Sequence, residues 1–128
     1  MMNAPDAVRR YFECINGDRF EELRGVFAPE VLLQMAGAKA RRGVDAAIAY
    51  YPLALAPLPH HVDDPVGVVC SDDRRRVAVE IAFTGTTTGG QSVEFTAVDL
   101  FDLDDDGRVA RLRSFYDTAG VARQLQAE

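Results

Sequence analysis

Apolar residues return every three or four positions at the start of the chain and every second position from its middle onward. Val8, Tyr11, Phe12 and Ile15 keep the helical spacing, with Asn3 to Asp6 supplying capping chemistry and Pro5 tolerated in a first turn. Asn16-Gly17-Asp18 ends this helix, and Asp18 is placed to cap a second, shorter one marked by Phe20, Leu23, Val26 and Phe27 and stopped by Pro29. Val31 to Met35 predicts a short buried strand, and Ala36 to Gly43 a loose connection. Asp45 and the Ala-rich stretch Ala46 to Tyr51 predict a third helix, halted by Pro52 with Pro57 and Pro59 beyond it.

From His60 the period falls to two. His61 to Val69 reads as a strand broken at Asp64-Pro65, and Ser71-Asp72-Asp73 as a turn. Arg76 to Thr88 alternates, with Val77, Val79, Ile81 and Phe83 on one side and Ala78, Glu80 and Ala82 on the other. Gly89-Gly90 leads into a hairpin of Val93–Phe101 and Arg108–Tyr116, joined by Asp104-Asp105-Asp106-Gly107, whose Asp-Gly pair suits a tight turn. Asp117 to Leu125 predicts a capped terminal helix.

Helices first and a strand meander after them imply one α+β domain over residues 1–128, an antiparallel sheet covered on one face. Long twisted strands wrapped on three modest helices curl and leave a concave pocket. The opposite face carries aliphatic surface, so a homodimer through the sheet is expected. A net charge of −6 over 128 residues argues against nucleic acid or an anionic membrane as partner. Cys14 and Cys70 lie too far apart in sequence for a metal or redox motif and read as free thiols. Met1 to Asp6 lacks the pattern of a secretion signal and no apolar run reaches membrane-spanning length, so a cytoplasmic location is expected.

Asp99 is the residue that breaks the pattern. It sits among Val98, Leu100 and Phe101 in a strand that should bury apolar surface, and an unpaired buried charge is costly. Such a group is hydrogen-bonded, protonated or turned to a cavity, each of which invites a functional reading. Two other acidic clusters carry less. Asp102, Asp104, Asp106 and Gly107 open like a calcium loop, but its twelfth position is Arg113 and strands flank it, so it is a hairpin turn. His60 and His61 with Asp63 and Asp64 alternate to opposite faces of a strand, which spoils convergent metal ligation.

This order of elements, with Tyr11, Gly17-Asp18, Arg42-Gly43, the Asp99 strand, Asp106-Gly107-Arg108-Val109 and Tyr116-Asp117-Thr118-Ala119-Gly120, resembles the ketosteroid-isomerase and SnoaL-like branch of the nuclear-transport-factor-2-like superfamily. The resemblance implies a cone-shaped fold and a small hydrophobic ligand, a polycyclic ketone handled without cofactor or metal. Ketosteroid isomerases use a Tyr and a protonated Asp to hold an enolate oxygen and a second Asp as base. By that likeness Tyr11 and Asp99 form the oxyanion hole, while Met35 stands where the base belongs. His60 and His61 open a strand expected to pass the pocket mouth, so either is a candidate replacement base. The pocket lining implied by the likeness is Met35, Val77, Val79, Phe101, Leu112, Ser114 and Tyr116. SnoaL-like proteins instead close polyketide rings by an aldol reaction. An accessory binding module that kept the pocket and lost the chemistry is the alternative.

Overall fold

The computed structural model describes residues 3–126 and is a mixed α+β fold in which helices pack against a curved six-stranded sheet. Helix α1 (Asp6–Asn16) buries Val8, Tyr11, Phe12 and Ile15, the stripe anticipated from its spacing, and Cys14 beside them. A 3₁₀ helix (Phe20–Gly25) follows in place of a second α-helix. With so few residues the segment cannot repay α-nucleation, and the tighter turn suffices to bury Leu23. Asp18 does not cap it; its backbone is left-handed, at φ 56°, and its carboxylate is taken by His61.

Strand β1 (Phe27–Met35) starts earlier than expected and runs through Pro29. The missing N–H is tolerated because the ladder to the last strand shifts register between Phe27 and Leu32. The two-residue β2 (Arg41–Arg42) pairs with it, and α2 (Val44–Leu55) follows. Pro52 does not stop α2, which continues a further turn to Leu55. Strands β3 (His60–Cys70), β4 (Arg76–Thr86), β5 (Ser92–Leu103) and β6 (Val109–Tyr116) then run antiparallel, and α3 (Thr118–Gln126) closes the chain. The Asp64-Pro65 break is a register shift between Pro65 and Gly67 inside a continuous strand.

The sheet order is β2-β1-β6-β5-β4-β3, with β1 and β6 parallel, so the early strand sits beside the hairpin and the sheet wraps the helices. The hairpin turn forms as its Asp-Gly pair predicts. Gly107 takes φ 77°, and Asp104 accepts from the Asp106 and Arg108 amides. Asp117 caps α3 by accepting from the Gly120 amide at 2.9 Å. On the outer face of the sheet the cross-strand pair Val98 and Phe115 is 40% and 52% exposed. Among the described residues no helix is long and apolar enough to cross a membrane.

Candidate functional site

The inner face of the sheet is mostly apolar, broken by Asp63, Asp99 and Ser114, and α1 covers only part of it. Where the helical cover ends, a cavity of about 170 Å³ opens between α1, α2, α3 and strands β3 to β6. Its polar groups are few and come from separate elements: Tyr11 on α1, Tyr50 and Tyr51 on α2, Asp63 on β3, Asp99 on β5, and Ser114 and Tyr116 on β6. Met35, Ile81, Phe83, Phe95 and Ala97 supply apolar wall, and Val121 and Leu125 of α3 border it from the C-terminal side.

Tyr11 and Tyr51 face one another through their hydroxyls at 2.9 Å, both fully buried. Tyr11 is wedged edge-on against Phe12 and Phe101, with ring centroids 5.1 and 5.2 Å away. Burial holds both phenols protonated, far above their ordinary titration. One hydroxyl donates to the other, so the pair leaves a single proton free to point at a ligand.

Asp99 lies 3% exposed, opposite Val79 on β4 and Ser114 on β6. Burial and then the charge of Asp63 raise its pKa to about 7, against the opposing pull of a hydrogen bond with Ser114. Burial likewise raises Asp63 to about 6, while His61 pulls it down. The two acids therefore release their protons as a coupled pair near neutrality. Tyr50 is pushed up to about 12 by burial and by Tyr116 and Asp99, with Arg41 acting against the shift.

Asp63 is held from behind. The Asn16 carboxamide, at the end of α1, donates to the Asp63 carbonyl at 2.9 Å and accepts from its amide at 2.8 Å. This carboxamide completes the outward hydrogen bonds of an edge strand. It also ties β3 to the helix that carries Tyr11. His61, two residues earlier, donates to the Asp18 carboxylate through Nε2 at 2.8 Å and keeps Nδ1 buried without a partner.

Of the residues implied by the family likeness, Tyr11, Met35, Asp99, Ser114 and Tyr116 line the cavity. Val77, Val79, Phe101 and Leu112 do not; each is 0% exposed in the core under α1. They share the correct face of the sheet but lie toward its other end, and alternation tells face and not end. His60 and His61 are also outside the lining: His60 is exposed and His61 turns to Asp18. The side chain from that strand which does reach the cavity is Asp63. Its signal in the sequence is the two-residue period that puts Asp63 on the same strand face as His61. Tyr51 had no local signal, since its partner is 40 residues away.

Residues 8–112 match the family model of the SnoaL-like domain. Among solved structures, a protein from Jannaschia sp. CCS1 assigned as a SnoaL-like polyketide cyclase is 25% identical. It superposes with a TM-score of 0.85 over 96% of this chain and 91% of that one. A protein of ketosteroid isomerase-like fold from Catenulispora acidiphila, in complex with trimethylamine, gives a TM-score of 0.86 at 13% identity over 98% and 96%. An LEH-like epoxide hydrolase from M. tuberculosis gives 0.75 at 15% identity over 93% and 86%. No curated protein matches the chain.

Proposed function

As the chain belongs to the SnoaL-like domain family, we propose that it moves a proton on a small lipophilic carbonyl compound, with no cofactor, in the manner of a ketosteroid isomerase or polyketide cyclase. The observation that carries this reading is a phenol pair, Tyr11 and Tyr51, sharing one apolar cavity with a carboxylic acid, Asp99, that keeps its proton up to about pH 7. A neutral acid and a phenol are both donors, and donors aimed at a developing enolate oxygen in a dry site stabilise it strongly.

The base is Asp63 in this reading. Met35 borders the cavity but has no lone pair basic enough to take a proton from carbon, and the histidines lie elsewhere. Asp63 loses its proton at about 6 and Asp99 at about 7. Between those values one acid is the base and the other the donor, so a bell-shaped rate profile centred there is expected. A space of about 170 Å³ holds one or two rings, by comparison with a ~150 Å³ apolar cavity that takes one benzene. Further rings of a polycyclic ketone would extend beyond this space.

Titration with para-nitrophenol, followed by its absorbance, tests the oxyanion site. The phenol binds in its ionised form, Asp99→Asn retains binding, and Asp99→Leu weakens it by about tenfold or more, the expected loss of a charge-assisted hydrogen bond. Equal affinity in wild type and Asp99→Leu would exclude Asp99 as an oxyanion donor.

The accessory-module reading is favoured by one observation, Met35 on the cavity wall where the likeness places a base. Loss of turnover on a β,γ-unsaturated ketone in Asp63→Asn, with phenol binding kept, separates the two; a wild type that binds and never turns over supports the module.

A further inference from the structure

The cavity is lined by two carboxylates and by aromatic rings, and among the described residues no Lys, Arg or His reaches its wall. That composition leaves the cavity without a fixed positive charge to balance an ionised carboxylate. Basic groups stand nearby but are engaged elsewhere. Arg41 lies over the Tyr50 ring at 5.7 Å and donates to the Ala46 carbonyl, and His61 is paired with Asp18.

One wall of the cavity is a run of three rings in series. Phe83 stacks on Phe95 with centroids 4.4 Å apart, and Phe95 lies 4.9 Å from Tyr116. The Asp63 carboxylate accepts no hydrogen bond from any described residue; only its backbone is clamped, by Asn16. A cavity that joins aromatic rings to an unpartnered carboxylate and has no basic group in its lining suits an organic cation. The carboxylate and any ring face left free at the end of the stack carry negative potential.

We propose that this cavity takes a ligand with an alkylammonium head of about the size of a trimethylammonium group, seated between the Phe83–Phe95–Tyr116 wall and the Asp63 and Asp99 carboxylates. The substrate class that follows, an amine-bearing carbonyl compound, rests on the proton-transfer reading; the cation site itself does not. The charge balance is favourable at every stage of that reaction. Before proton transfer Asp63 is ionised, and after it the enolate is, so one negative charge always faces the ligand. A cationic substituent offsets it in both states, whereas a neutral ketone leaves it uncompensated in a low-dielectric site.

The pH dependence has a definite sign. The groups facing Asp63 are Tyr11 from α1, Tyr50 and Tyr51 from α2, Asp99 from β5 and His61 on its own strand; Asp99 is faced in addition by Ser114 and Tyr116. Burial keeps the phenols protonated throughout, so the two acids carry the pH dependence. A cation binds best to ionised carboxylates, so its affinity rises as pH passes through about 6 and about 7, and its binding releases protons. A phenolate behaves oppositely and binds better below that range.

Isothermal titration with choline tests the site, beside the neutral isostere in which a tert-butyl group replaces the trimethylammonium. Above pH 7 choline is expected to bind at least about tenfold tighter than the isostere, the scale of a desolvated cation–π contact. Its affinity falls as pH drops through about 7 and about 6. The fall is reduced both in Asp63→Asn and in Asp99→Asn, two near-isosteric changes whose folding is checked by circular dichroism. Equal affinity for choline and isostere overturns the proposal, as does choline binding that ignores both substitutions. If para-nitrophenol binds and choline does not, the cation site is wrong and the enolate reading stands. If choline alone binds, the enolate reading falls and the cation site stands; if neither binds, both fall.

Discussion

The two ends of the sheet's inner face are built from the same strands with the same alternation, yet one is sealed and the other is a cavity. At one end Val77, Phe101, Leu112 and Leu33 stand side by side across β4, β5, β6 and β1, each at most 1% exposed. Phe12 and Tyr11 of α1 press on Phe101 from above. One rung further along, the same four strands present Val79, Asp99, Ser114 and Met35. The rung after that, Ile81, Ala97 and Tyr116, already lines open space. The change from packing to site happens within two rungs, at the line where α1 ends and the helical cover passes to α2 and α3. Asp99 sits on that line. It is buried enough to hold its proton and close enough to the cavity to offer it.

This contrast predicts that substitutions of like size cost unlike amounts at the two ends. Phe101→Ala, in the sealed rung, is expected to lower unfolding stability by about 3–5 kcal/mol in denaturant melts, because its cavity cannot collapse. Phe95→Ala, on the cavity wall and already partly exposed, is expected to cost less than half of that and to act on ligand affinity instead. Equal costs would mean that the cavity end is as tightly packed as the core.

A second effect belongs to the boundary itself. Asp63 and Asp99 hold protons in the fold, at about 6 and about 7, that the unfolded chain releases near the ordinary value of 3.8. The folded state then binds more protons than the unfolded one across that window, so stability falls as pH rises through it. It is greatest at the acid side of the window, as far as these two groups decide it, and levels off above about 7. Asp99→Asn should flatten the upper part of the slope in melts taken at several pH values. A slope unchanged by Asp99→Asn would deny the acid its buried proton.

The smallest expected effect sharpens how the two ends are joined. Asn16→Ala removes both side-chain bonds to the Asp63 backbone at a partly solvated edge, a loss of about 1 kcal/mol. Its signature is local: faster hydrogen exchange at the Asp63 amide with little change at the sealed rung. An unaltered exchange rate there would show that the ladder to β4 alone positions Asp63.

Much of the architecture was legible in the order of periods. The stripe on α1, the alternation on β4 and β5, the Asp104–Gly107 turn and the Asp117 cap are local regularities, written in spacings of two to four residues. Asp99 was equally legible, because a carboxylate in an apolar strand violates a local rule. The Pro29 and Pro52 boundaries were misread for the opposite reason: each proline forfeits one hydrogen bond, and neighbouring strands and buried side chains make good the loss. What tertiary structure alone decided was which end of an apolar face is filled. Alternation assigns Val77 and Ile81 to the same side with equal force, and only the reach of α1 makes one core and the other wall. The Tyr11–Tyr51 bond and the placing of Asp63 instead of His61 are of the same kind. They depend on which helix lies over which strand, and that is set by packing across long separations in the chain.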